Sequence, residues 1–208
     1  MKQFYRLFSV LLALPLIILL FAYNSGSPGG KTGSMGDGGS TCTDCHSGSA
    51  TAQTGWITSN IPAEGYTPGT TYQITATATH SGVSKLGFEL TAENSSGQKT
   101  GSFTITDAAR TKLANQNKAI THTAAGNSPS GSSNTWTANW TAPATDVGQI
   151  RFYAAFNAAK GNGGTSGDVI YTSTLFVNAM APAALLSIVP NSQTQGENVT
   201  VTITGQNT

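Results

Sequence analysis

The chain has 208 residues, with ten Lys or Arg against nine Asp or Glu, a formal net charge of +1. That balance gives no electrostatic basis for a nucleic acid or an anionic membrane surface as partner. Charged residues make up 9% of the chain, against roughly 25% in an average soluble protein. Gly, Thr, Ser and Asn supply the polar surface instead, a composition that suits an exported all-β protein.

Residues 1–23 read as a secretory signal peptide. Lys2 and Arg6 form a positive start, and Leu7 to Ala22 is apolar apart from Ser9 and Pro15. As a helix that run would reach about 24 Å at ~1.5 Å per residue, short of the ~30 Å hydrocarbon core. Pro15 and the small residues after Tyr23 favour cleavage over anchoring. The mature chain is therefore expected outside the cytoplasm, with no membrane span.

Residues 24–55 form a Gly/Ser-rich arm that carries Cys42-Thr43-Asp44-Cys45-His46, and these are the only cysteines of the sequence. Two cysteines separated by two residues and followed at once by histidine form the haem c attachment pattern. Each thiol adds across one vinyl group, and the adjacent imidazole reaches the iron. Covalent haem c held by Cys42, Cys45 and His46 is the leading expectation. The alternatives are a small Cys42–Cys45 disulfide, which would staple almost no chain, and a zinc or copper site, which needs further ligands from elsewhere. For the iron's other face His122 is favoured, with His80 second and Met35 third.

From Trp56 the pattern turns to strands, with period-2 alternation in Tyr72 to Thr79 and Leu86 to Ala92. Phe103 to Thr106, Ala119 to Thr123, Trp136 to Trp140, Gln149 to Phe156 and Val169 to Val177 read as further strands. Asp107 to Lys118 lacks an apolar stripe and reads as a loop or single turn. Short strands separated by turn signals predict a β-sandwich over 56–179, with Trp136, Trp140, Phe152 and Phe156 facing its core. Residues 180–208 read as a linker followed by two strands that open a truncated Ig-like β module, in preference to a hairpin docked on the sandwich.

Several segments together resemble the bacterial extracellular choice-of-anchor V domain, itself related to the Reeler (reelin-like) sandwich. They are Gly33 to Asp37 leading to Cys42–His46, Tyr66 to Gly69, Leu86 to Leu90, Thr121-His122-Thr123, Trp136 to Pro143, and Phe152 to Ala159 with Gly161-Asn162-Gly163 and Gly167-Asp168. The resemblance implies an antiparallel Reeler/Ig-like β-sandwich in a secreted or cell-surface bacterial protein. It does not imply a settled activity. Phe156 departs from it, standing where a small residue is expected.

Nothing supports hydrolysis: there is no Gly-x-Ser-x-Gly elbow and no His-Glu-x-x-His, and the carboxylates are dispersed. Asp37 and Asp44 could contribute to a calcium site. The sequons at Asn94, Asn139 and Asn198 read as incidental. The expected function is extracellular electron transfer or redox sensing through haem rather than enzymatic turnover, with redox partner or surface components unspecified. The alternative is a non-catalytic surface adhesion or interaction module carrying the disulfide.

Overall fold

The computed structural model describes residues 24–192, 194–196 and 198–206. Residues 1–23, read from the sequence as a signal peptide, lie outside them. Among the described residues no helix is long and apolar enough to cross a membrane.

Alternation of side chains along each strand builds two facing sheets. One is four-stranded, in the order β2 (Ile57–Ser59), β3 (Thr71–Thr79), β8 (Ser133–Thr141), β5 (Ser102–Ile105). The other is six-stranded, in the order β1 (Ala50–Ala52), β10 (Val169–Val177), β9 (Ile150–Ala159), β4 (Lys85–Asn94), β7 (Ala119–His122), β6 (Thr111–Ala114). Every pairing is antiparallel except the short parallel one between β1 and β10.

The core lies between the sheets. Leu86, Phe88, Leu90 and Ala92 of β4 and Ile150, Phe152, Ala154 and Phe156 of β9 meet Ile74 and Ala76 of β3 and Trp136 and Trp140 of β8. Phe88 stacks on Trp136 at 4.4 Å, and Trp140 meets Phe152 edge-on at 5.0 Å. Such pairs add about 0.5–1.5 kcal/mol beyond area burial. The four expected core aromatics are therefore inside. Phe156 is fully buried as well, its ring edge-on to Trp56 at 5.1 Å, so the departure from the resemblance is absorbed in the core.

Two segments differ from the sequence reading, residues 111–114 and 50–52. Residues 111–114 form β6, pairing Thr111 with His122 and Ala114 with Ala119. As an edge strand it gains a ladder on one side only, so its apolar alternation is weak. Residues 50–52 of the arm form β1. The C-terminal hairpin of β11 (Ala184–Val189) and β12 (Thr202–Gln206) does not dock on the sandwich, because every residue of both strands is exposed.

The arm itself is packed structure. β4 is buried on both faces, its core side by apolar packing and its outer side by the arm. Two buried carboxylates on that outer side hold it. Glu89 accepts the Ser27 hydroxyl and the backbone N–H groups of Gly30 (2.8 Å) and Lys31 (3.2 Å). Glu93 accepts the Ser34 hydroxyl, the Gly36 N–H (3.0 Å) and the Lys99 ammonium (2.8 Å). Gly36 must be glycine, since a Cβ there would lie 2.3 Å from the Gly97 carbonyl oxygen and 2.6 Å from the Glu93 carboxylate.

Candidate functional site

Docking of the arm brings the cysteine motif over the end of the sheet. Cys42–Asp44 is a single 3-10 turn, opened by Thr41, whose side chain accepts the Thr43 N–H. The N–H groups of Cys45 (3.3 Å) and His46 (2.9 Å) both close onto the Cys42 carbonyl. One turn of helical winding puts positions i, i+3 and i+4 on a common face. Cys42, Cys45 and His46 consequently line one cavity of about 350 Å³, within the roughly 300–1,000 Å³ of small-molecule and cofactor sites. Pro28, Phe88 and Ala159 give that cavity apolar wall.

Both cysteines are free thiols, Cys45 exposed and Cys42 less so. Burial pushes the Cys42 thiol up to about 12, and the nearby Glu89 adds to the effect. A thiol held in its neutral form is a poor partner for disulfide exchange, which proceeds through the thiolate.

His46 is oriented from the far end of the chain. Its Nδ1 lies 2.6 Å from the carboxylate of Asp168, whose side chain is fully buried. A carboxylate offers only acceptors, so Nδ1 carries a hydrogen, and in the neutral ring Nε2 keeps its lone pair. The Asn157 amide nitrogen lies 3.1 Å from Nδ1 and 3.2 Å from Nε2. A group equally near both nitrogens must sit over the ring face, because in-plane positions on either side collide with ring carbons. Among the described residues, nothing else engages the in-plane lone pair of Nε2. Oriented carboxylate–histidine pairs of this kind fix a ligating imidazole in metal proteins.

His122 lines the same cavity from the end of β7. The β4–β7 ladder stops at Glu89 and Thr121, and the His122 ring fills the next rung: the buried Phe88 N–H donates to its Nδ1 at 3.0 Å. The neighbouring Phe88 carbonyl accepts the Thr121 hydroxyl at 2.5 Å. Leaving that N–H without an acceptor would cost about 1–3 kcal/mol, so the imidazole does structural work. Burial lowers the His122 pKa to about 4, and the ring is neutral at physiological pH. Gly87 makes room for it, since a Cβ there would lie 2.5 Å from Cε1.

The other sequence candidates lie elsewhere. His80 pairs with the Tyr171 hydroxyl at 2.7 Å, and Met35 is 54% exposed beside Gly97; neither lines the cavity. Asp37 and Asp44 do not converge on a calcium site. Asp37 pairs with Lys99 and Asp44 with Lys31, each at 2.6 Å. Among the described residues no group of three or more His, Cys, Asp and Glu side chains is arranged to hold a metal ion, which leaves the zinc and copper alternative without converging ligands. Asp168 and Asn157 stand in segments that carry the family resemblance, but the sequence reading gave neither of them a role in the site. The one available signal was an acidic residue placed between a glycine-rich loop and a strand.

Residues 40–161, from the motif to the loop after β9, match the family described as the Reeler domain. The chain belongs to the Reeler family. Solved structures similar to this Reeler chain include the human F-spondin reeler domain (fragment 1), at 19% identity over 62% of this chain and 94% of that one, with a TM-score of 0.47. The Reelin-N domain of F-spondin is similar at 18% identity over 67% of this chain and 96% of that one, with a TM-score of 0.48. No curated protein matches the chain. The Reeler assignment makes the sandwich an extracellular-type interaction module.

Proposed function

We propose that this Reeler module, of the choice-of-anchor V type, is exported and carries one covalent haem c in the cavity under the arm, serving extracellular electron transfer or redox sensing. The observation that carries the reading is that Cys42, Cys45 and His46 share one cavity, with His46 held by Asp168 so that its Nε2 lone pair is unengaged. The thiols would hold the group, each S–H adding across one vinyl double bond with no net oxidation. His46 would ligate the iron. His122 is the remaining histidine able to face it. Haem supplies one-electron chemistry and an iron that binds small ligands, tuned by its axial groups and surroundings. The chain's own contribution is orientation of His46, a partly apolar wall from Pro28, Phe88 and Ala159, and shielding of the cavity by the docked arm.

Export of the full chain in a host with haem-attachment machinery tests this. The expected product is coloured, shows a Soret band that survives denaturation, and gains the mass of one haem. Colourless protein without that mass gain overturns the reading. Cys42→Ser with Cys45→Ser abolishes the covalent link, and His46→Ala perturbs the iron spectrum while leaving the link in place.

A further inference from the structure

The hydrogen bonding of His122 bears on what the cavity binds. Backbone N–H groups only donate, so the 3.0 Å contact from Phe88 fixes Nδ1 as an acceptor. A neutral imidazole with an accepting Nδ1 carries its hydrogen on Nε2. Reversing the tautomer would bring two donors face to face at Nδ1. The Phe88 carbonyl also lies near Nδ1, but at the longer distance of 3.3 Å and with the Thr121 hydroxyl already donating to it at 2.5 Å, so the 3.0 Å contact from the Phe88 N–H sets the role of Nδ1. Nε2 meets no protein acceptor among the described residues, and the ring lies against Gly87, which also lines the cavity. His46 presents the opposite arrangement, with a donating Nδ1 and an accepting Nε2. The two histidines of the cavity are thus held in complementary tautomers, one suited to ligate a metal and one suited to donate a hydrogen bond.

We propose that His122 does not ligate the haem iron but offers its Nε2–H to a small ligand, so that the site takes up a diatomic gas rather than cycling electrons through a doubly histidine-ligated iron. This rests on the haem reading above, and it deepens that reading toward ligand sensing. Donors near the ligand decide between binding and electron transfer at such sites.

The test uses the haem-loaded full chain with carbon monoxide as probe. The expected wild-type spectrum is high-spin, with carbon monoxide binding directly. His122→Leu should leave the spin state unchanged and move the C–O stretch to higher frequency, because the donor that polarises the probe is gone. His122→Gln, which keeps an N–H donor, should bring the stretch back toward the wild-type value. A low-spin wild-type spectrum that turns high-spin in His122→Leu would overturn the proposal while leaving the haem reading intact. Absence of bound haem sinks both. The haem-free wild type gives an independent readout by ¹⁵N NMR: Nδ1 should be unprotonated and Nε2 protonated at His122, and the reverse pattern overturns the proposal whatever the variants do.

Discussion

Single residues set the chemistry of this site through where their hydrogens sit. Burial holds His122 at about 4, below the ~6.5 of a free histidine. Between those values the unfolded chain takes up a proton that the folded chain refuses. Stability conferred by neutral His122 is therefore present above about pH 6.5 and is lost as pH falls toward 4. The loss amounts to about 3 kcal/mol. Denaturant titrations of the haem-free protein across that range should show the slope, and His122→Gln should flatten it relative to wild type. The difference between the two proteins isolates this group from Glu89, whose burial raises its carboxyl and acts in the opposite direction. Cys42 and Cys45 should also separate. In the haem-free protein an alkylating reagent at pH 8 should label exposed Cys45 at least tenfold faster than Cys42, whose thiol is pushed up to about 12. Equal rates would mean that the turn opens readily.

At the scale of elements, the arm and β4 form one unit. The glycines of the arm allow close approach to the sheet, and Glu89 and Glu93 supply the acceptors that its backbone and hydroxyls need. Glu93 and Asp37 both reach Lys99, so the arm is clamped at a second point beyond the Glu89 contacts. Gly36→Ala should lower stability by about 1–3 kcal/mol through overpacking, measured as a shift in the denaturant midpoint. Gly164→Ala, in an exposed loop where the nearest atom to an added Cβ is 3.6 Å away, should stay within about 0.5 kcal/mol of wild type. If the Gly36 variant is as stable as the control, the arm is not clamped as described. In the haem-free form the same variant should also expose the arm to protease, because undocking releases residues 24–41.

For the whole molecule, the body of the fold ends near Ala179, where its bridge to Tyr66 closes the sandwich. The hairpin beyond it buries none of its described residues; Leu185 is 62% and Ile203 68% exposed. Removing residues 182–208 should leave the melting temperature of the sandwich unchanged, read by near-ultraviolet circular dichroism of the buried tryptophans. A drop of several degrees would show that the hairpin packs on the body after all. The sandwich acts as a rigid frame: β7 delivers His122, the segment before β10 delivers Asp168, and the arm lays the cysteine turn between them.

Alternation along the chain was enough to place β3, β4, β8, β9 and β10, because a two-residue period follows directly from a strand with a core-facing side. The same reading placed the inward aromatics and singled out Cys42, Cys45 and His46 by their spacing, whereas the 3-10 turn that gathers them is visible only in the fold. The sequence did not reveal β6 or β1, short strands whose pairing comes from neighbours rather than from their own composition. The strand-like context of His122 favoured it over His80 in the sequence, but it took the packed fold to show that His122 lines the cavity while His80 pairs with Tyr171. Likewise Glu89 and Glu93 alternate as outward residues should, yet they are buried, because the arm supplies the second layer. Asp168 becomes the partner of His46 for the same reason: the two are 122 positions apart in sequence, and their meeting depends on the docked arm and the order of strands in the sheet.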